Sequence, residues 1–91
     1  MTGASMRSDD EIKEIIQQAF KPLRCVAEIW DYGEKIRFRV YRPDDKPLIQ
    51  YSELTMRQAQ SDRSLSDLLT EARQRVEEKG HHLDPWQVPL P

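Results

Sequence analysis

Thiol and imidazole side chains, which often carry catalysis or bind metals, are few in this chain, and their positions indicate no common site. Cys25 is the single thiol, and the two histidines, His81 and His82, are adjacent near the carboxyl end. Adjacent histidines lack the i, i+4 or Cys-x-x-Cys spacing that makes a metal site specific, and no cysteine-enzyme signature surrounds Cys25. The carboxylate pairs lie in predicted caps, turns or helix surface. We therefore predict no catalytic residues, no metal, no cofactor and no small-molecule substrate.

A second group of residues, aromatic and arginine side chains, alternates along two segments that are rich in β-branched and aromatic residues. These segments, Arg24–Tyr32 and Lys35–Arg42, flank Gly33-Glu34. A glycine followed by another residue is a signal for a type II′ hairpin turn. The sequence therefore predicts a β-hairpin with a two-residue turn at Gly33-Glu34.

This turn sets the register of the predicted hairpin, and the register separates two faces. The pairs expected on one face are Tyr32–Lys35, Trp30–Arg37, Glu28–Arg39 and Val26–Tyr41. The pairs expected on the other face are Asp31–Ile36, Ile29–Phe38 and Ala27–Val40. The second face is nearly all apolar, whereas the first mixes aromatic, basic and acidic groups. A slip of one residue would mix the two faces, so the separation supports the hairpin.

The sequence predicts two helices that cover the apolar face and a third strand that extends it. Ser8 and Glu11 form a capping-box pattern before a helical stripe of Ile12, Ile15, Ile16, Ala19 and Phe20 that should end near Lys21, before Pro22. The third strand, Leu48–Leu54, should turn Ile49 and Tyr51 inward and leave Leu48 and Gln50 outside. Pro47 cannot donate to a ladder and favours an edge position for this strand.

The second helix should begin at the Ser64-Leu65-Ser66-Asp67 cap and end at Gly80. Its apolar stripe is Leu65, Leu68, Leu69, Ala72 and Val76. Residues 55–63 show no clear period and fit either a loop or a helix. The predicted fold class is α+β, in the order α-β-β-β-α, a three-stranded antiparallel meander with two helices packed on one face. The predicted organisation is a disordered arm over 1–7, a single domain over 8–80 and a proline-rich extended tail over 81–91.

Composition limits the classes of protein to consider. Hydrophobic residues make up 37% and charged residues 33%, and no apolar run approaches the roughly 18–20 residues that span a bilayer. The first ten residues, MTGASMRSDD, lack an apolar core, so we expect no signal peptide. A lone cysteine is ordinary in a reducing compartment, and we expect a cytoplasmic protein. The net charge of −2 argues against attachment to nucleic acid or anionic lipid through the overall field.

The α-β-β-β-α order is similar to that of double-stranded RNA-binding domains, but the lysine cluster that opens the last helix of that family has no counterpart at Ser64–Asp67. A closer resemblance is to a family of short uncharacterised bacterial proteins of about this length, a domain of unknown function. The residues that carry it are Ala19-Phe20-Lys21-Pro22, the Gln58–Asp62 approach, and the leucine-rich helix from Leu65 to Gly80. That resemblance implies the same α-β-β-β-α fold and no mechanism.

The mixed face and the tail are the surfaces left over after folding. The candidate interaction residues are Val26, Trp30, Tyr32, Arg37, Arg39, Tyr41, Leu48, Trp86 and Val88. Our first hypothesis is a small non-enzymatic module that binds a protein partner or a second copy of itself, because monomers seldom leave such apolar patches bare. The chain's own tail is another cover for this face, and the edge strand 48–54 a further site for strand addition. The alternative is weak single-stranded nucleic-acid binding, since interleaved aromatic and arginine side chains on a sheet stack bases and neutralise phosphates.

Overall fold

The computed structural model describes residues 7–88, and it confirms the predicted α+β meander. The elements are α1 (Asp9–Gln18), β1 (Cys25–Trp30), β2 (Lys35–Tyr41), β3 (Pro47–Thr55), α2 (Met56–Ala59) and α3 (Asp62–Glu78). The strands form one antiparallel sheet in the order β1-β2-β3, so β3 lies at an edge as predicted. Residues 1–6 of the predicted arm and residues 89–91 of the predicted tail lie outside the described residues.

The hydrophobic core lies between the sheet and the two longer helices. All five predicted positions of the first helical stripe are buried, and so are four of the five in the second, with Leu68 half-buried. The strands contribute Cys25, Ala27, Ile36, Phe38, Val40 and Leu54 to the same cluster. The predicted apolar face of the hairpin is therefore the face that the helices cover. We call it the inner face, and the opposite side the outer face.

Both ends of α1 follow from local chemistry. The Ser8 hydroxyl accepts a hydrogen bond from the Glu11 amide, and the Glu11 carboxylate accepts one from the Ser8 amide, which confirms the capping box. The helix ends at Gln18 rather than near Lys21. Ala19 and Phe20 are still fully buried, because the turn after the helix keeps them over the sheet.

The turn between β1 and β2 differs from the predicted one. Pairing ends at Trp30 opposite Lys35, so the turn has four residues, 31–34, and the predicted two-residue turn at Gly33-Glu34 is wrong. Asp31, Tyr32 and Gly33 all have left-handed φ, at 55°, 56° and 84°. The physical reason for the longer turn is Asp31. A two-residue turn would place its carboxylate on the inner face opposite Ile36, where burying an unpaired charge is costly.

The longer turn moves every strand pair by two residues from the predicted register. The observed pairs are Cys25–Val40, Val26–Arg39, Ala27–Phe38, Glu28–Arg37, Ile29–Ile36 and Trp30–Lys35. A shift of two residues leaves each side chain on its original face, since the side-chain period of a strand is two. The predicted faces are therefore right, whereas the predicted partners Trp30–Arg37, Glu28–Arg39 and Val26–Tyr41 are wrong.

Two irregularities in β3 redirect its side chains. Pairing passes from Val40–Ile49 to Tyr41–Pro47, and from Phe38–Tyr51 to Ile36–Leu54, so β3 has one extra residue at each place. An extra residue inverts the alternation beyond it, which explains why Leu54 is buried three residues from Tyr51. Leu48 lies at the first irregularity and packs half-buried against the core. Its predicted outer position is therefore wrong.

The ambiguous segment 55–63 contains two caps. Thr55 caps the short α2, and Ser61 caps α3 by accepting a hydrogen bond from Ser64. The predicted start of the helix at the Ser64 cap is thus late, because Ser61 provides the same hydroxyl chemistry earlier. At the other end Gly80 has a φ of 95°, and the amides of Gly80 and His81 bond to Glu77 and Val76. This is the predicted glycine stop, in the form of a Schellman motif.

Residues on both sides of the 8–80 range join the folded unit. Arg7 exchanges backbone hydrogen bonds with the Gln60 side chain and pairs with Asp62. Leu83 is only 2% exposed and belongs to the core cluster. The hydrophobic core therefore includes a residue that follows the end of α3 at Glu78. In residues 7–88 no helix has the length and apolar character needed to cross a membrane.

Candidate interaction surface

The outer face is the side of the sheet opposite the helices. It exposes Val26 and Trp30, at 38% and 36% of their full areas. Its centre is a shallow depression of about 320 Å³. The residues that line this depression include Val26, Glu28, Arg37, Arg39, Tyr41 and Gln50. Four of the predicted residues of β1 and β2 therefore line one depression, and Trp30 lies beside it at the Arg37 guanidinium.

The observed register sets the contacts at the end of the outer face next to the turn. Glu28 lies opposite Arg37, and the Arg37 Nε donates to the Glu28 Oε1 over 3.1 Å. Trp30 lies opposite Lys35, and the Lys35 Nζ is 5.2 Å from the centre of the indole ring. The Arg37 guanidinium carbon is 5.5 Å from the same ring. Distances under about 6 Å favour cation–π attraction, so the indole is already engaged by two cations.

Tyr41, at the opposite end from the turn, is engaged in the same way. The Arg24 guanidinium carbon lies 4.0 Å from the centre of the Tyr41 ring. The backbone amide of Tyr41 donates to the Arg24 carbonyl, which extends the β1–β2 ladder by one more pair. Arg24 also contacts the Asp45 carboxylate at 3.3 Å. The arginine therefore stacks on the tyrosine and has a carboxylate neighbour.

Arg39, in the middle of β2, has a different partner from the other cations. Its Nε and Nη2 donate to the Gln50 Oε1 at 3.1 and 2.7 Å. The side-chain amide is neutral, and no carboxylate of residues 7–88 pairs with Arg39. Lys35, Arg37 and Arg24 each have a carboxylate within 4 Å, at Asp31, Glu28 and Asp45. The half-buried Arg39 is thus the cation of the outer face whose charge has no partner among these residues.

Comparison with known proteins gives a family but no activity. Residues 10–76 match the model of the family described as "Protein of unknown function (DUF1652)". The chain belongs to this family. No curated protein and no solved structure matches it significantly. The likeness expected from Ala19-Phe20-Lys21-Pro22 and the leucine-rich helix is thus confirmed as membership of a family without an assigned function.

The matched range includes α1 from Asp10, the whole sheet, α2, and α3 as far as Val76. All residues of the outer face of this DUF1652 domain therefore lie inside the family region, whereas the tail after Gly80 lies beyond it. The candidate surface predicted from the sequence contains residues of both the outer face and the tail. In the structure the outer face and the tail lie apart.

The tail of the DUF1652 protein lies against the helices instead of the outer face. The Asp84 amide donates to the Lys21 carbonyl at 2.8 Å. The Arg73 guanidinium donates to the carbonyls of Ala19 and Asp84, and it lies 6.0 Å from the Trp86 ring. Trp86 is half-buried against the core. Through residue 88, the tail therefore does not cover the mixed face, which was one of the covers left open by the sequence.

Four of the predicted interaction residues are not part of the outer-face cluster. Tyr32 is fully exposed at the tip of the four-residue turn and does not lie opposite Lys35. Leu48 and Trp86 pack against the core. Val88 is half-buried and does not line the depression. The residues that remain together are Val26, Trp30, Arg37, Arg39 and Tyr41.

Two residues that matter on the outer face were missed at the sequence level. The sequence predicts an outer position for Gln50 but no contact, whereas in the structure its side-chain oxygen accepts two hydrogen bonds from Arg39. Arg24 fell outside the predicted pairs because the expected register placed Val26 opposite Tyr41. A turn two residues longer places Arg24 opposite Tyr41, but both turns fit the same alternation in β1, so the alternation could not reveal this pair.

The edge of β3 is a poor template for an added strand. The two irregularities flank a regular stretch of only three residues, Ile49–Tyr51. Bulges of this kind disturb the row of outward amides and carbonyls that strand addition requires. The edge of β1 is protected differently, since the Gln17 side chain accepts the Ala27 amide hydrogen bond at 3.1 Å. Both edges therefore present fewer regularly spaced free backbone groups for strand addition than an unbroken edge strand would.

The single thiol of residues 7–88 is buried, and the possible metal ligands of these residues are not grouped. Cys25 is buried on the inner face, and desolvation raises the pKa of its thiol to about 12. A thiol with this pKa is almost entirely protonated near neutral pH and is a weak nucleophile. Residues 7–88 contain no cluster of three His, Cys, Asp or Glu side chains with the spacing of a metal site.

Proposed function

We propose that this protein is a small non-enzymatic module of the cytoplasm that binds another protein through the outer face of its sheet. The observation that carries this proposal is the concave centre of the outer face. A depression of about 320 Å³ places Val26 and Tyr41 beside arginines, on the one broad side of the sheet without a helical layer. Aromatic and arginine side chains that lie together beside an exposed apolar residue are typical of interaction hot spots.

The state of the aromatic rings favours protein over nucleic acid as the ligand. Base stacking requires an open ring face. Trp30 is within 5.5 Å of two cations, and Tyr41 is capped by Arg24 at 4.0 Å. A base would have to displace these cations before it could stack. A protein partner needs only to contact the apolar edges that remain exposed, with Val26 between them.

Single-stranded nucleic acid remains the second candidate because of the charge of the outer face. Lys35, Arg37 and Arg39 follow one another at every second position of β2. Such a row supplies the phosphate contacts that a nucleic-acid groove needs. The carboxylates of Asp31 and Glu28 pair with Lys35 and Arg37, which leaves fewer free cations for a run of successive phosphates.

The test is site-specific photo-crosslinking in cells with a benzophenone amino acid at Val26. A matched control carries the same group at Gln74, an exposed position of α3. We expect a discrete protein adduct from position 26 only, which resists nuclease and is lost when Trp30→Ala is added. A product of twice the 10.8-kDa chain mass would identify a second copy as the partner.

Two results would overturn the proposal. The first is an identical pattern of adducts from positions 26 and 74, which would show that the outer face has no preferred partner. The second is an adduct at position 26 that nuclease removes, because this would identify nucleic acid as the ligand. Far-UV circular dichroism of each variant verifies that the sheet is intact.

A further inference from the structure

We infer that the partner presents an acidic segment, and that one of its carboxylates binds the guanidinium of Arg39. This inference rests on the proposed function, since it names the chemistry of the ligand that the outer face takes. It starts from the unequal pairing of the four outer-face cations. Three have carboxylate neighbours at 3.1–3.8 Å, whereas Arg39 has only the amide oxygen of Gln50.

The contact with Gln50 positions Arg39 without neutralising it. One amide oxygen accepts from both Nε and Nη2, which fixes the plane of the guanidinium. An arginine that is held in place loses less side-chain entropy when a ligand binds than a free one does. The Nη1 atom has no hydrogen-bond acceptor among residues 7–88. Arg39 is therefore an ordered cation with donor capacity left for a carboxylate, which it binds with charge-assisted bonds.

The charge of the outer face argues for a different chain as the partner rather than a second copy. Four cations lie on this face and three of them pair with carboxylates, so the excess positive charge is that of Arg39. A two-fold symmetric contact would bring the same patch of two copies together. Like charges would then oppose one another across a partly dry interface, which costs affinity. An acidic partner has the opposite sign and avoids this cost.

The surroundings of Arg39 favour a protein carboxylate over a phosphate. Val26 pairs directly with Arg39 across the β1–β2 ladder, and Tyr41 is the next residue of β2 that lines the depression. A peptide in which acidic and apolar side chains alternate satisfies both kinds of contact at once. A sugar–phosphate chain would leave Val26 without an apolar contact.

The decisive variant is Gln50→Glu. It places a carboxylate where the amide oxygen now contacts Arg39, so Arg39 becomes neutralised within the chain. The fold should be unharmed, with a melting temperature equal to or above that of the wild type, because a bidentate ion pair replaces a neutral contact. Binding of an acidic ligand should fall even though the side-chain shape is nearly unchanged.

The experiment is an NMR titration of the full-length ¹⁵N-labelled chain, observed at the backbone amides of β1 and β2 and at the Arg39 Nε–H. The probe is a twelve-residue peptide of alternating glutamate and leucine. The comparison ligands are the same peptide with glutamine for glutamate, and a single-stranded oligothymidine of twelve nucleotides. We expect the acidic peptide to bind roughly tenfold more tightly than the other two, a difference of about 1.4 kcal/mol.

Three variants that each lower the net charge by one separate a site at Arg39 from a diffuse field. Arg39→Gln and Gln50→Glu should each weaken binding of the acidic peptide roughly tenfold. Arg37→Gln should weaken it by less than about threefold, because Arg37 is already paired with Glu28. Equal losses in all three variants would overturn the inference, as would tighter binding of the oligothymidine or no binding of the acidic peptide at millimolar concentration.

The Trp30→Ala variant distinguishes failure of this inference from failure of the proposed function. If the three charge variants bind the peptide as the wild type does while Trp30→Ala weakens it, the outer face is a protein site but Arg39 is not its anion contact. If Trp30→Ala also has no effect and the outer-face amides do not shift, the outer face is not the binding surface and both proposals fail.

Discussion

The two faces of β2 are built from neighbouring residues but held by different forces. On the inner face, Ile36, Phe38 and Val40 are at most 2% exposed and contact both helices' stripes in one cluster. On the outer face, Arg37 and Arg39 make pairwise contacts across the strands, and Lys35 pairs with Asp31 of the turn, all at the protein surface. Burial stabilises the inner face by area, at roughly 25 cal/mol per Å². The outer pairs are individually weak, which leaves them free to exchange partners.

The largest expected effect is the loss of the Phe38 ring. Phe38 contacts Phe20 at 5.6 Å and stacks on Tyr51 at 5.1 Å between ring centres. We expect Phe38→Ala to lower the free energy of unfolding by about 3–5 kcal/mol, or to prevent folding of so small a domain. Urea denaturation monitored by circular dichroism measures this change in the free energy of unfolding.

The matched control is Arg37→Ala, one position away on the other face. An exposed salt bridge contributes about 0–1 kcal/mol, so this variant should unfold near the wild-type midpoint. Comparable losses for the two variants would show that the outer face also carries the fold. The contrast between the faces would then be incorrect.

The second effect tests whether the tail belongs to the covered side. Leu83 is 2% exposed and joins the core after the Gly80 stop. We expect Leu83→Ala to cost about 2–5 kcal/mol, as for other buried leucines. The exposed Gln87, four residues on, supplies the control, since Gln87→Ala should be neutral. A neutral Leu83→Ala would mean that the tail is dispensable and that the fold is complete at Gly80.

The third effect concerns the cap that begins the helix over the inner face. Ser8 and Glu11 satisfy each other's backbone amides. Ser8→Ala should cost about 1 kcal/mol, measured as a shift in the urea midpoint. Ser66→Ala, in the interior of α3, serves as a serine control outside any cap. A larger loss for the Ser66 variant would contradict the role of the cap.

The same cap gives a pH dependence with a defined sign. The backbone and hydroxyl hydrogen bonds of Ser8 lower the pKa of the Glu11 carboxyl below its ordinary value of 4.5. A carboxyl whose pKa is lower in the folded state stabilises the protein above its unfolded pKa. That stabilisation is lost as the pH falls through the lowered value. Thermal unfolding between neutral pH and strongly acidic pH should show this loss in the wild type and a smaller one in Glu11→Gln.

The faces of the sheet were predictable from the sequence because the period of two assigns each residue of β1 and β2 to a side. The partners across the strands were not, since a shift of two residues preserves the sides and only the turn distinguishes the registers. The alternation gave no warning of the four-residue turn, which removes Asp31 from the inner face. The proline-rich tail has no period, so the burial of Leu83 and the contact between Arg73 and Trp86 could not be inferred. Gln50 was missed because a neutral side chain carries no charge pattern.

The smallest effect is also the one that tests the outer face most directly. A double-mutant cycle of Glu28→Ala and Arg37→Ala should give a coupling energy of about 0.2–1 kcal/mol, because the two side chains are bonded over 3.1 Å. The companion cycle of Glu28→Ala and Arg39→Ala should give a coupling near zero. These two cycles distinguish the four-residue turn from the two-residue turn. With the shorter turn, Glu28 would lie opposite Arg39 and neutralise the guanidinium. A larger coupling in the second cycle would therefore show that Arg39 is already paired, and the inference of an acidic partner would be wrong.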